Sequence, residues 1–133
     1  MNRPTHVSLF AGIGGFDLAF TRAGYRTLLV CERDPFASAV LTQKFPHARR
    51  VSDIVAMETI PTCDVVTAGF PCQDLSQAGR TAGIEGSNSA LVDEVFRLVD
   101  AMDRPPRWIV LENVPFMLNL HGGSGIATLV NHC

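Results

Sequence analysis

The segment His6–Phe10 (HVSLF) runs directly into the glycine-rich turn Ala11–Gly15 (AGIGG), and a helical pattern follows from about Phe16 to Ala23. A second apolar segment, Thr27–Glu32 (TLLVCE), leads into a helix that Asp34 is placed to cap. Nearly continuous apolar strands that alternate with helices are typical of a parallel sheet covered on both faces. No other feature of the chain constrains its fold as strongly.

The remaining segments continue this alternation. Short strands are predicted near Arg50–Ser52, at Cys63–Ala68 and at Arg107–Leu111. Between the last two, a helix capped by Asn88 or Ser89 places six apolar residues on one face: Leu91, Val92, Val95, Leu98, Val99 and Met102. The 133 residues fit one domain of the usual ~100–200 residues, so we expect a single partial α/β domain that ends after about the fifth strand.

Polar or glycine-rich features follow each predicted strand directly. They are the glycine turn, Glu32, Asp53, the loop Pro71–Cys72 and the pair Glu112–Asn113. Because ligands of parallel sheets bind at the carboxyl ends of the strands, we expect these features to share one edge.

The glycine turn and Glu32 predict a cofactor site. Gly12 and Gly14 let the backbone approach a ligand closely, and Glu32 can accept two ribose hydroxyls. Asp17 occupies the last glycine position of a dinucleotide fingerprint, where a carboxylate would repel a pyrophosphate. These features favour a nucleoside with a cationic sulfonium and an amino-acid tail, such as S-adenosylmethionine. The alternatives are a tight turn without a ligand, a solvated Glu32 and an Asp53 that only caps a turn.

Cys72 and Glu112 are the candidate reacting groups. A partly formed thiolate is strongly nucleophilic, and Pro71 stiffens the loop that carries it. Glu112 ends an apolar strand, where partial burial would raise its pKa and let it share a proton, and Asn113 can orient it. The alternative is an inert core cysteine beside an ordinary strand-end turn.

Composition narrows the setting of this chemistry. The net charge of −2 leaves no broad basic face, so phosphate contacts need a local patch or another polypeptide. The four cysteines form no CxxC pair and have no metal-ligand spacing, which predicts reduced thiols and no zinc. The lack of a ~20-residue apolar run and of a signal-peptide core predicts a cytoplasmic protein.

The chain resembles the DNA (cytosine-5)-methyltransferases. The segments SLFAGIGGFDLAF, CERDPFASAVL, SDI, AGFPCQDLSQAG, GSNSALVDEVFR and LENV occur in the order of that family, up to about Phe116. The resemblance implies the Rossmann-like fold of S-adenosylmethionine-dependent methyltransferases. It also implies double-stranded DNA as substrate, in the bacterial or phage restriction-modification setting.

The resemblance further implies roles for individual residues. Cys72 would attack carbon 6 of a flipped-out cytosine, and Glu112 would contact its N3 and exocyclic amine. The cofactor pocket would be lined by Phe10, Gly12, Ile13, Gly14, Glu32, Arg33, Asp53, Ile54 and Leu91. The target base and the DNA would be contacted by Phe70, Pro71, Gln73, Ser76 and Asn113. The related branch that methylates transfer RNA carries Pro-Pro-Cys, so Phe70 favours DNA, with RNA cytosine-5 methylation as the alternative.

Family members continue with a Gln-x-Arg-x-Arg element, a target-recognition domain and a final Asn-containing segment, none of which occurs in this sequence. We therefore expect a truncated reading frame, an excised piece or one subunit of a split enzyme completed by a C-terminal subunit. Alone, it is expected to show weak or no methyl transfer and to associate through the open edge of the fifth strand. The alternatives are an inactive remnant that only binds cofactor or a partner, and a nicotinamide-dependent dehydrogenase, against which Asp17 argues.

Overall fold

The computed structural model describes residues 2–69 and 87–112, with the backbone alone over 87–90. The strands of this part are β1 (Thr5–Leu9), β2 (Arg26–Cys31), β3 (Arg49–Val51), β4 (Val65–Ala68) and β5 (Trp108–Leu111). Its helices are α1 (Gly15–Arg22), α2 (Pro35–Lys44) and α3 (Ser87–Asp100). None of these three helices is both long and apolar enough to cross a bilayer.

Within the described residues the strands form one five-stranded sheet in the order β3-β2-β1-β4-β5, and every neighbouring pair is parallel. The chain therefore winds outward from β1 through β2 to β3, then returns to the other side of β1 for β4 and β5. The order reverses between β1 and β4, where Leu9 pairs with Ala68 at the carboxyl ends. Such a reversal opens a crevice for ligands.

Helices cover both faces of the sheet, as predicted. On one face, β1 residues Val7 and Leu9 join a buried cluster with Val92, Val95 and Leu98 of α3. On the other face, a smaller cluster forms around Leu41 of α2: Ala11, Val30, Ala48 and the half-buried Phe45. Helices thus pack against both faces of the sheet, and the loops lie at the carboxyl ends of its strands.

The ends of the helices follow local signals in part. Asp34 caps α2 as predicted, because its carboxylate accepts a 2.8 Å hydrogen bond from the backbone N–H of Ala37. The predicted cap of α3 is wrong. That helix begins at Ser87, so Asn88 and Ser89 lie inside its first turn and cannot precede it.

Candidate active site

The turn after β1 is held in a strained conformation. Phe10, Gly12 and Gly14 all have left-handed φ values, of 53°, 61° and 94°. The turn is closed by hydrogen bonds from Ala11 N to Cys31 O (2.9 Å) and from Gly14 N to Ala11 O (3.1 Å). A left-handed phenylalanine is uncommon, and such strain concentrates at functional sites.

The two left-handed glycines serve different purposes. A Cβ on Gly14 would lie 2.6 Å from Cε2 of Phe45 and 3.0 Å from Cδ2 of Leu41, so its missing side chain is required by packing against α2. A Cβ on Gly12 would meet no atom within 4 Å. Gly12 therefore faces open space, where a ligand can approach the backbone.

Glu32 is fixed by the backbone around it. Its Oε1 accepts from Gly12 N and its Oε2 from Asp34 N, both at 2.7 Å. The carboxylate thus ties the glycine turn to the start of α2. Because each carboxylate oxygen has two lone pairs, both oxygens keep acceptor capacity for hydroxyl groups of a ligand.

A pocket of about 400 Å³ opens beside this carboxylate; we call it the strand-end pocket. Its lining comprises Phe10, Gly12, Cys31, Glu32, Arg33, Ser52, Asp53, Ile54, Val55, Gly69 and Leu91. Seven of the nine residues predicted to bind a cofactor are among them, so the structure brings these seven together. The other two, Ile13 and Gly14, do not line it, and Ile13 is 65% exposed.

Cys31 lines the strand-end pocket and was not predicted there. Burial, with the nearby carboxylates of Glu32 and Asp53, raises the pKa of its thiol to about 11. The thiol is therefore neutral at pH 7 and acts as a small apolar surface. Its position next to Glu32, at the end of the predicted strand Thr27–Glu32, was the sequence signal that could have found it.

The loop that carries Asp53 and Ile54 is tied to α3. Asp53 Oδ1 accepts from Val55 N at 3.0 Å, which is the turn-capping role weighed above. Arg97 of α3 donates to the carbonyl of Ile54 at 3.1 Å and pairs with Glu94. Arg97 was not predicted, since nothing in a helix pattern shows which loop a polar side chain reaches.

A second, shallower pocket of about 470 Å³ adjoins the first; we call it the Glu112 pocket. It is lined by Phe10, Ala11, Gly12, Gly15, Phe16, Gly69 and Glu112. Oε2 of Glu112 lies 3.2 Å from the point that a Cβ on Gly69 would occupy. The expected partial burial of Glu112 is wrong: it is exposed, because it leaves the sheet directly after β5 and faces the open pocket. Phe16, which also lines this pocket, was not predicted as a site residue.

The two pockets share Phe10, Gly12 and Gly69 as a common rim. Gly69 also donates to Leu9 O at 3.3 Å, so it lies where the sheet order reverses. It directly precedes the predicted reactive loop. The reactive and DNA-contacting candidates Phe70, Pro71, Cys72, Gln73, Ser76 and Asn113 lie outside the described residues.

A buried polar network lies beneath the glycine turn. The ring nitrogens of His6 lie 2.9 Å from Thr27 Oγ1 and 2.8 Å from Thr67 Oγ1. Ser8 Oγ donates to Asp17 Oδ2 at 3.1 Å. All five side chains are buried, which links α1 and the three central strands.

Burial decides the charge of this network. It lowers the pKa of His6 to about 4, so the ring is neutral at pH 7 and its 3.8 Å approach to Asp17 Oδ1 is not an ion pair. Burial raises the pKa of Asp17 to about 6, opposed by the Ser8 hydrogen bond. Asp17 does lie in the first turn of α1, as predicted, but it lines neither pocket. Its carboxylate points inward, where His6 and Ser8 supply polar surroundings.

The strand-end pocket has the chemistry of an adenosine site without phosphate. Phe10, Ile54 and Leu91 offer apolar surface, while Glu32 and Asp53 offer acceptors for hydroxyl and amino groups. Arg33 is its sole cationic lining residue among the described residues. A pocket with more carboxylates than cations fits S-adenosylmethionine better than a pyrophosphate cofactor.

The sequence matches curated relatives over nearly its whole length. Type II methyltransferase M2.BsuMI of Bacillus subtilis (strain 168) is 48% identical over 128 residues, which are 94% of this chain and 33% of that protein. Type II methyltransferase M.HhaI of Haemophilus parahaemolyticus is 32% identical over 94% of this chain and 38% of that protein. The chain thus spans about a third of the length of these relatives.

Solved structures share the fold. An E. coli prophage protein described as a DNA modification methyltransferase matches with a TM-score of 0.78 at 24% identity, over 97% of this chain and 37% of that one. The S. pombe Dnmt2 methyltransferase matches with a TM-score of 0.71 at 18% identity, over 98% and 42%. The predicted methyltransferase fold is confirmed, and S-adenosylmethionine is confirmed as the cofactor of this class of proteins. The sequence pattern of C-5 cytosine-specific DNA methylases covers residues 5–132, and the chain belongs to that family.

Proposed function

We propose that this chain is the catalytic core of a DNA (cytosine-5)-methyltransferase, which methylates carbon 5 of a target cytosine in duplex DNA in the bacterial cytoplasm. The observation that carries the proposal is the shared rim of the two pockets. One pocket has the lining of an adenosine site, the other holds the Glu112 carboxylate, and Gly69 lies between them just before the Cys72 loop. A methyl donor and a base could therefore meet across this rim.

The chain's own residues divide the binding work. Glu32, already fixed by two backbone N–H groups, would accept the ribose hydroxyls. Phe10 and Leu91 would cover the faces of the adenine, and Asp53 would accept from polar edges of the nucleoside. Gly12 would let the amino-acid tail approach the backbone, since no atom lies within 4 Å on its open side.

The reacting groups would act on the cytosine ring. The Cys72 thiolate adds to carbon 6, and Glu112 gives a proton to N3 as the electrons of the 5,6 double bond shift onto carbon 5. S-adenosylmethionine, when bound, supplies the methyl group that carbon 5 takes. The proton on N3 returns to Glu112 as carbon 5 takes the methyl group. A base such as water then removes the carbon-5 proton, which re-forms the double bond and expels the thiolate. The exposure of Glu112 leaves room for a base to approach it.

We further propose that activity needs a complementing C-terminal polypeptide. The relatives are about three times as long as the region they share with this chain. The net charge of −2 leaves little to neutralise DNA phosphates. In the described residues β5 is an edge strand, and its first residue, Trp108, is 67% exposed. An edge of this kind is a surface on which a further element can pair.

A trapping experiment tests the chemistry. The chain is mixed with the C-terminal two thirds of the B. subtilis relative, S-adenosylmethionine and a duplex containing 5-fluorocytosine. Fluorine blocks the loss that releases the enzyme, so the Cys72 adduct should accumulate as a band that survives denaturation. Cys72→Ser should abolish this band.

Cys63→Ser is the matched control. Cys63 is fully buried, and burial raises the pKa of its thiol to about 11, so it cannot supply a thiolate near pH 7. This variant should still trap DNA. An adduct that persists in Cys72→Ser would show that the nucleophile is wrong, and strong turnover by the chain alone would remove the need for a partner.

A further inference from the structure

Asp17 is a buried charge that the proposed chemistry leaves without a role. It lies in the first turn of α1, three residues after the cap residue Gly14, and its side chain is fully buried. Ser8 donates to one oxygen, whereas the other, Oδ1, has no hydrogen-bond partner. An unpartnered oxygen on a buried carboxylate is costly, so a function is the natural explanation.

The position of this carboxylate sets the electrostatics of the glycine turn. The start of a helix carries partial positive charge and ordinarily attracts phosphate groups. Here the helix that begins at Gly15 has its own carboxylate in that first turn. His6, which lies 3.8 Å away on β1, is the titratable group that faces Asp17 in the described part of the chain. Because His6 is neutral near pH 7, it does not cancel the negative charge.

We propose that the buried carboxylate of Asp17 makes the glycine turn selective for a cationic sulfonium ligand over the neutral thioether that remains after methyl transfer. This inference rests on the proposed function, because it takes S-adenosylmethionine as the ligand of the strand-end pocket. The same charge disfavours nucleotides that carry phosphate. Asp17 touches no ligand and is a specificity-determining residue that acts through its field.

Coulomb's law gives the order of magnitude of the effect. A buried charge is screened less by water and salt than an exposed one, so it acts over more than one residue layer. Two unit charges about 15 Å apart in an effective dielectric of about 20 would change a dissociation constant about sixfold. The sulfonium and the thioether ligands share their adenosine and amino-acid parts. The ratio of their dissociation constants therefore isolates the effect of the sulfonium charge.

Calorimetry on the 133-residue chain tests the proposal, with S-adenosylmethionine and S-adenosylhomocysteine as the two ligands. At pH 8 the Asp17 carboxylate is ionised. Asp17→Asn keeps the shape and removes the charge, so the dissociation constant of S-adenosylmethionine should rise about sixfold while that of S-adenosylhomocysteine stays within about twofold. Circular dichroism establishes that the variant is folded.

Asp64→Asn is the matched control. Asp64 accepts from the N–H and the hydroxyl of Thr5 at the opposite end of the sheet, so its loss should lower stability and leave the ligand ratio unchanged. The ratio of the dissociation constant of S-adenosylmethionine to that of S-adenosylhomocysteine should also rise in the wild-type chain between pH 8 and pH 5.5, as Asp17 gains a proton. The same pH series on Asp17→Asn measures the pH dependence that does not come from Asp17, including any from Glu32 and Asp53, and is subtracted from the wild-type result.

The outcomes separate the two proposals. If the wild-type chain binds neither ligand at millimolar concentration, both the cofactor site and the selectivity of Asp17 are overturned. If it binds both, and Asp17→Asn weakens both equally, only the selectivity fails and Asp17 is a structural helix-start residue. A ratio that is independent of pH in the wild-type chain overturns the selectivity even if the Asn variant does not fold.

Discussion

Replacing Gly14 by alanine is expected to destabilise the chain by about 2–5 kcal/mol, far more than the same change at Gly12 or Gly15. A left-handed φ costs an alanine roughly 1–2 kcal/mol. The new methyl group would also lie 2.6 Å from the ring of Phe45 and 3.0 Å from the buried Leu41, and overpacking of this kind costs about 1–3 kcal/mol. The sum is a large part of the ~5–15 kcal/mol that holds a typical domain folded.

The neighbouring glycines isolate each contribution. Gly12 has a φ of +61° but nothing within 4 Å, so Gly12→Ala should show the backbone cost alone, about 1–2 kcal/mol. Gly15 lies in α1 without a positive φ and also in open space. Gly15→Ala should therefore be neutral or stabilise the chain by up to about 1 kcal/mol.

Urea unfolding followed by circular dichroism measures the three free energies of unfolding, and calorimetry with S-adenosylmethionine measures binding. We expect Gly14→Ala to lose stability, whereas Gly12→Ala should lose affinity while it stays folded, because Gly12 lines the strand-end pocket. Equal destabilisation by Gly12→Ala and Gly14→Ala would refute the packing role of Gly14. Unchanged affinity in Gly12→Ala would refute the placement of the ligand beside Gly12.

Two further outcomes follow from the buried network and from the loop behind the pocket. The folded pKa of His6 is lowered from 6.5 to about 4, so its contribution to stability is lost as the pH falls through that range. Asp17, raised from 3.8 to about 6, loses its contribution as the pH rises. In the wild-type chain these two contributions change in opposite directions, so urea unfolding should show nearly constant stability from pH 4 to 6. In Asp17→Asn only the His6 contribution remains, and acidification should lower the free energy of unfolding by on the order of 3 kcal/mol. Matching pH profiles of the two chains would contradict these shifts. Arg97→Met removes the 3.1 Å hydrogen bond to the carbonyl of Ile54, so the free energy of unfolding should fall by about 1 kcal/mol. The affinity for S-adenosylmethionine should fall several-fold as the Asp53 loop loosens. Unchanged affinity in calorimetry would show that α3 does not hold this loop in place.

The strand positions could be read from the sequence because each strand is a short apolar run next to strong local signals. Every predicted strand lies within two residues of an observed one. Asp34 before Pro35 determines the start of α2, since capping and a fixed φ act within one turn. The convergence of Glu32, Asp53 and Glu112 on one edge follows from the parallel order of the strands alone. The strand order alone therefore predicted where most of the candidate site residues lie.

The direction of single side chains could not be read in the same way. Asp17 was predicted in the first turn of α1, but the direction of its side chain was not. Polar partners on β1 turn it inward, and their presence depends on which face of β1 packs under α1. Gly14 was expected at the cofactor, yet its lack of a side chain is explained by Phe45, which is distant in sequence. Contacts between elements that are far apart along the chain determine the direction of such side chains. Neither local spacing nor a helix pattern predicts these contacts.

The packing on the two faces of β1 explains why the two pockets at the edge of the sheet keep a fixed separation. Val7 packs into the main core, whereas His6 on the opposite face bridges Thr27 of β2 and Thr67 of β4. Each hydroxyl can donate or accept, so a neutral ring satisfies both neighbours in either tautomer. The backbone ladders of β1 with β2 and β4 set the spacing of these two strands, and the His6 bridge adds a side-chain link between them. Glu32 and Gly69, which follow the two strands, are therefore held in a constant relation. The separation between the two pockets is thus set inside the sheet, where packing resists change. If the proposed function holds, the loops need only supply the reacting groups.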